Sequence, residues 1–519
     1  MTNLSTWQNS NYTVYAMTVF FFLLSLWGIS NHELWLDEAH HYLLARDSSS
    51  VQDLINNTRY EGHPIVWNLL LYWITRLTTD PIWMQILHIS IMTISVGVFL
   101  KKAPFSWLFK LLFIFGYFMF YEYNILSRNY SIGILFIFLG CSFYDKRTVK
   151  FVLISVLLGL ASNSHAIFVI LASTIMAMLT LERLKTERLQ ISKSTWIGVG
   201  IFGVLTLVSV LQIIPPTDTS FFDRGESISF FDKIAKSMTP FFKSMFVLPD
   251  VTINSFWNSH ILVNYSKPIA AIVAMISLSI PYLLFYKNRN LLMYVYFGIF
   301  ATAGFFFITM MNAARYYGIL YLFLITALWF EKSATSTGSA YHFAKAKKTF
   351  LLSENLLKNI RPVLIYSILG LHFISGIYAF TMDVSRPFTT AQQTAQYLKE
   401  NNLIEKTIAT KACNGTALSA YIGKAVYFTR TNSFESYCTF NRPSIQQEHG
   451  TIEVITSIQK LLKANKESVI FITYEPFFDT SQKKEWRLYN EAIKIEFLTQ
   501  FEGSILNKGN HYIYEISKY

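Results

Sequence analysis

Charge is what this sequence has least of. Only 15% of its 519 residues are Asp, Glu, Lys or Arg, where a soluble chain carries about 25%. The deficit is concentrated in long apolar runs, which excludes an ordinary soluble protein. No basic residue precedes Arg46, and no small-residue cleavage site follows the first apolar run, so a cleavable signal peptide is not expected. Internal repeats and low-complexity tracts are lacking. So is a basic stripe interleaved with exposed aromatics, which removes nucleic acid as a partner despite a net charge of +12. Cysteine is scarce too. Cys141 falls in an apolar run, and Cys413 with Cys438 forms either one bridge or two free thiols.

What is present is apolar sequence in quantity. Candidate spans run over 12–30, 81–100, 106–123, 128–144, 148–163, 164–181, 195–214, 268–286, 291–310, 313–330 and 362–381, with a further membrane-associated helix at 64–78. The expected fold is a polytopic α-helical membrane protein of about 11–13 transmembrane helices, carried by residues 1–381. Alternate loops differ in charge. Segments 101–110, 145–150, 182–194, 287–290 and 331–361 together hold 18 Lys/Arg against 5 acids. Loops 31–80 and 215–267 hold 8 Lys/Arg against 12 acids. By the positive-inside rule the first set is cytoplasmic and the second is outer. An odd number of spans then puts residues 382–519 outside. There "TAQYLKENNL" and "IEVITSIQKLLKAN" read as helices and "AVYF" and "SVIFITY" as strands, giving a soluble extracytoplasmic α/β domain. The location is the plasma (inner) membrane.

Charges on the outer side lack the sorting explanation and so carry information. In "LWLDEAHHYLLARD" Asp37 and Glu38 are adjacent, just past the first span. Asp37 also reads as a helix N-cap. "RYEGHPIVW" is a turn that holds Glu61 and His63, with Gly62 supplying unusual dihedrals and Pro64 opening the next helix. Arg128 with Tyr130, in "SRNYSIGILF", and Arg315 with Tyr316, in "RYYGILYLF", sit at outer ends of spans. Each arginine is either a snorkelling side chain in an aromatic belt or a guanidinium fork for phosphate. His165, in "ASNSHAIFV", lies at a short outer turn and is either a core histidine or a ligand contact. His40 and His41 with the carboxylates show no diagnostic metal spacing.

Taken in order, these stretches resemble the GT-C superfamily of polyprenyl-phosphate-sugar glycosyltransferases, and most of all its protein O-mannosyltransferase and lipid A aminoarabinose transferase branch. "WLDEAHHYLLA" is similar to the Asp-Glu pair of the first outer loop. "YEGHPIVWNLLLYW" is similar to the acid before a His-Pro turn, with Ile65 where many relatives have a second proline. "SRNYSIGILF" and "RYYGILYLF" are similar to the Arg-Tyr elements of an early and a late span. The resemblance covers about residues 10–381. It implies a GT-C type fold and transfer of a sugar from a polyprenyl-phosphate donor to a hydroxyl of a glycan, glycolipid or protein acceptor, with inversion, at the outer membrane face. It implies Asp37 as the base, its pKa raised toward the working range, with Glu38 and Glu61 orienting base or acceptor. Arg128 and Arg315 would clamp phosphate beside Tyr130 and Tyr316, and His63 and His165 would touch phosphate or sugar. No cofactor is expected to be required, with a divalent metal at His40, His41 and the carboxylates as the alternative. Membrane lipids are the remaining partner. A flippase, transporter or polymerase-like protein for lipid-linked sugars is the alternative; a carrier should show charged or Gly/Pro-broken positions at mid-membrane depth and inverted repeats.

Overall fold

The helix Lys193–Ile213 is apolar throughout, and only 11% of its most apolar stretch is buried inside the protein. Val204, Leu207, Val208 and Leu211 all lie exposed along it. A helix of this kind has no stable place in water, because its apolar faces exceed what the fold covers. In the computed structural model seven helices among the described residues are long and apolar enough to cross a membrane: Asn11–Asn31, Ile82–Lys102, Ala166–Glu187, Lys193–Ile213, Lys267–Phe285, Arg289–Thr309 and Asn355–Ser385. The structure describes residues 11–187, 190–219, 228–311, 313–336, 354–411, 413, 415–441, 450–465, 467–478, 484–488 and 492–518. Most of the basic loop 331–361 lies outside them.

The other four expected spans are helical but built differently. Tyr130–Ser142 and Phe151–Ser162 have 13 and 12 residues. At 1.5 Å per residue they reach roughly 20 Å, short of a hydrocarbon core of about 30 Å. The run 106–123 breaks at Phe115 and Gly116. Before the break is the helix Trp107–Ile114, and after it a wide turn, Tyr117–Glu122. Ala314–Ser336 is long enough, but its side chains from Ile319 to Phe330 are buried, so it is a central helix, wrapped by others.

The C-terminal region is built on one seven-stranded mixed sheet. Its strands are β1 Thr407–Thr410, β2 Val426–Phe428, β3 Ser433–Glu435, β4 Val469–Thr473, β5 Glu485–Leu488, β6 Ile493–Phe501 and β7 His511–Lys518. The spatial order is β3-β2-β1-β4-β7-β6-β5, with β1 parallel to β2 and β4 and every other pair antiparallel. Every residue of β4 is buried, as a strand covered on both faces requires. Alternation splits it: Ile470 and Ile472 pack with Leu398 and Leu418 of the helices Ala391–Glu400 and Gly415–Ile422, while Val469 and Phe471 pack with Val454 and Ile458 of Thr451–Asn465. Cys413 and Cys438 are bridged; Cys141 is a free, buried thiol.

The sheet region is not separate from the helices. Ala39, Tyr42 and Leu43 of the helix Leu36–Asp47 share a core with Ala417 and Ala420 on one side and with Trp67 and Leu71 on the other. The Tyr421 hydroxyl accepts the Leu34 amide at 2.7 Å, and Thr389 donates to the Leu34 carbonyl at 3.0 Å. The segment that carries Asp37 is thus gripped by both parts of the molecule.

Candidate functional site

Asp37 and Glu38 are adjacent in the first turn of Leu36–Asp47, and helical geometry sends them in different directions. Glu38 turns inward. Its carboxylate accepts the Trp35 amide at 3.3 Å and the Ser127 amide at 2.5 Å, and meets Nε2 of His32 at 3.0 Å. The capping role expected of Asp37 therefore falls to Glu38, the third residue of the helix, which reaches back to the residue before it. Nδ1 of His32 meets Asp383 at 2.8 Å, tying the end of the first long helix to the end of the last. Burial alone disfavours charge on His32, but Asp383 and then Glu38 outweigh it and raise its pKa to about 10.

Asp37 turns outward. Its Oδ2 pairs with Nη1 of Arg128 and, at 2.9 Å, with Nη2 of Arg315. The Trp35 indole lies under both cations, 6.0 Å from the Arg128 guanidinium carbon and 5.0 Å from that of Arg315, within cation–π range. Burial by itself favours the neutral carboxyl. The Arg128 and Arg315 charges overcome it and hold Asp37 well below the usual carboxylate range. This reverses the expected rise: desolvation is the largest influence, but two cations at contact distance exceed it. The Nε groups of both arginines are buried with no acceptor among the described residues, so each fork keeps a donor for an anion.

These three residues border a cavity of about 90 Å³. His40, His41, Glu61 and His63 line it from the first loop, with Tyr316 beside Arg315, and Met311 and Phe440 complete its wall. Gly62 has φ 64°, the left-handed turn that places Glu61 and His63 toward the cavity. The ring of His63 stacks 4.2 Å from that of His165, which lies 4.7 Å from Tyr130. Nδ1 of His165 accepts the Ile167 amide at 3.2 Å, so Nε2 carries the proton and faces the Tyr130 oxygen at 3.3 Å. Burial and then Arg128 depress His63 to about 3 and His41 well below 6.5. Both imidazoles are neutral at ordinary pH.

The structure thus gathers Asp37, Glu61, His63, Arg128, Arg315 and Tyr316 around one cavity. Tyr130 and His165 stand behind His63, and Glu38 faces the opposite way as a support. Glu122, also acidic and at the end of an expected span, is buried against Trp257 Nε1 at 3.0 Å and the Tyr117 hydroxyl at 3.1 Å. Sequence reasoning missed Trp35, Met311, Phe440 and the His32–Asp383 tie. Only His32 carried a local signal, as a histidine next to Glu33 directly after a span. Among the described residues no group of three His, Cys, Asp or Glu is arranged to hold a metal ion.

No protein-family model matches the chain, and no curated protein matches it. Chemically, the arrangement offers paired guanidinium donors to an oxyanion, neutral imidazoles to hydroxyls, and two carboxylates of different character a few ångströms away.

Proposed function

We propose that this protein is an integral-membrane glycosyltransferase. It moves a sugar from a polyprenyl-phosphate donor to an acceptor hydroxyl at the extracytoplasmic face, with inversion and without a metal. The observation that carries the reading is the meeting of Arg128 and Arg315 on one carboxylate above Trp35, in a chain whose described residues include seven membrane-length apolar helices. A phosphate tethered to an apolar chain needs such a place: donors in pairs, next to lipid. Guanidinium groups that bind the departing phosphate stabilise charge as it develops, which is where electrostatic catalysis acts. The resemblance of "WLDEAHHYLLA", "YEGHPIVWNLLLYW", "SRNYSIGILF" and "RYYGILYLF" to GT-C transferases supports the same assignment. Loop charge supports extracytoplasmic placement of the site, and the sheet region, which packs on the helix that carries Asp37, goes with it.

The test is reconstitution of the purified protein in proteoliposomes with radiolabelled polyprenyl-phosphate sugars on the loop 31–80 side and membrane glycolipid extract as acceptor. Label passing to glycolipid without crossing the bilayer is the expected result. Movement of intact donor across the bilayer with no transfer is the result of a carrier and ends this reading. Arg128→Ala weakens binding of polyprenyl monophosphate about 10- to 100-fold, the loss of a charge-assisted hydrogen bond of roughly 1.5–3 kcal/mol. Unchanged binding by Arg128→Ala returns that arginine to a snorkelling role.

A further inference from the structure

We propose that the proton of the acceptor hydroxyl goes to His40, held by Glu61, and not to Asp37; this rests on the transferase reading above. Two carboxylates border the cavity. Asp37 is committed to two guanidinium groups through a single oxygen, and protonating it would leave both cations without their counter-charge. Glu61 has no Lys or Arg partner within ion-pair distance among the described residues. Its Oε1 lies 2.7 Å from Nε2 of His40, and both side chains are nearly closed to solvent, at 3% and 6% exposure. The contact is short but bent away from hydrogen-bond alignment, since Nε2 makes no aligned bond. Catalytic pairs without substrate are often in this condition and straighten when the substrate arrives.

The proximity of Glu61 favours one tautomer of His40. Once Nε2–H straightens onto Glu61 the lone pair falls on Nδ1, which is buried and has no partner among the described residues. Among the described residues lining the cavity, His40 and His63 each keep an unpartnered Nδ1, and of the two His40 has its other ring nitrogen against a carboxylate. On its own helix are Asp37, already paired, and His41, whose ring is 6.0 Å away and whose Nδ1 meets Asn68 Oδ1 at 2.8 Å. From the 58–66 turn come Glu61 and the neutral His63. Arg128 and Arg315 hold the other wall. From the sheet region, Tyr437 stands perpendicular at 5.7 Å and Phe440 lies at 5.4 Å. These two half-buried rings put an apolar face beside His40 and mark the side from which a sugar-bearing acceptor approaches.

The step balances. The acceptor oxygen bonds to the anomeric carbon as the bond from that carbon to the phosphate oxygen breaks. The electron pair leaves with the polyprenyl phosphate, against Arg128 and Arg315. The hydroxyl proton passes to Nδ1 of His40, and Glu61 balances the imidazolium.

The test uses the proteoliposome assay with the full chain. His40→Ala is expected to lower kcat by 100-fold or more and to bind polyprenyl monophosphate within twofold of wild type. Added imidazole restores part of the rate. Glu61→Gln, which keeps the shape of the pair, lowers kcat at least tenfold with donor binding unchanged because the imidazolium loses its counter-charge, and Glu61→Asp restores part of the rate. A His40→Ala variant that retains the wild-type rate, or a Glu61→Gln variant with the wild-type kcat, overturns the assignment and returns the base role to Asp37. Wild-type protein that transfers nothing overturns the transferase reading and this step together.

Discussion

At Asp37 one carboxylate oxygen meets two guanidinium groups, while its neighbour Glu38 holds a backbone amide on each side and a histidine. Substitution at the two positions should therefore fail in different ways. Asp37→Asn keeps the fold and keeps binding of polyprenyl monophosphate, because it removes the anion that competes for the two forks; transfer falls at least 100-fold because the forks lose their fixed orientation. Binding and turnover measured on one preparation check this. Glu38 instead belongs to a stability device with His32. The folded-state pKa of His32, about 10, lies above the usual 6.5, so its contribution is complete below pH 6.5 and is lost as pH rises toward 10. Melting temperatures in detergent should fall across that window for the wild type, and His32→Gln should be less stable at pH 6 and show no such slope. A wild-type melting temperature that is flat from pH 6.5 to 10 contradicts the charged clamp. None of this pairing was readable from spacing, since His32 and Asp383 are 351 residues apart.

Among the elements, the central helix Ala314–Ser336 sets where Arg315 stands. The Tyr123 hydroxyl donates to the Arg315 carbonyl at 2.8 Å. A Cβ at Gly318 would come inside 3 Å of both Tyr123 and Phe118. Both are buried and have little room to give. Gly318→Ala is expected to cost about 1–3 kcal/mol by overpacking and to weaken phosphate binding by shifting Tyr123. Thermal unfolding and polyprenyl monophosphate titration of the same variant check both halves. Apolar composition located the helix without revealing its place. Residues facing lipid and residues facing other helices are equally apolar, so 313–330 and 195–214 read alike although the first is enclosed and the second mostly bare. For the same reason the break at Phe115–Gly116 and the shortness of Tyr130–Ser142 were invisible.

For the molecule as a whole, the sheet region acts as the second support of the site. Phe440 reaches the cavity two residues after Cys438, whose bridge to Cys413 closes a separation of 25 residues. Thr219 of the second large loop forms an isolated bridge with Asn441 next to it, and the Ser436 hydroxyl pairs with Asp47. Cys413→Ser should lower stability by roughly 2–4 kcal/mol and lower turnover through the acceptor rather than the donor. Reductant should reproduce the effect in the wild type and add nothing to the variant, as melting curves with and without it will show. Two strands and two helices of this region were legible from alternation and helical period. The other strands were not: β1 and β3 have only four and three residues, the half-exposed residues of β5 and β6 blur the alternation, and β7 is buried at consecutive positions on both faces.

The sequence by itself determined that the chain carries long apolar helices, that a mixed α/β region follows them, and that Asp37, Glu61, His63, Arg128 and Arg315 stand out. The reason is cost: a charge beside an apolar run is expensive, so its presence is informative before any contact is known. Only the tertiary structure decided which of two adjacent acids faces the cavity, that two guanidinium groups converge on it, and that His40 joins Glu61 while Phe440 closes the wall. Those outcomes depend on direction and on partners in other segments of the chain, and neither is encoded in the spacing of a local stretch.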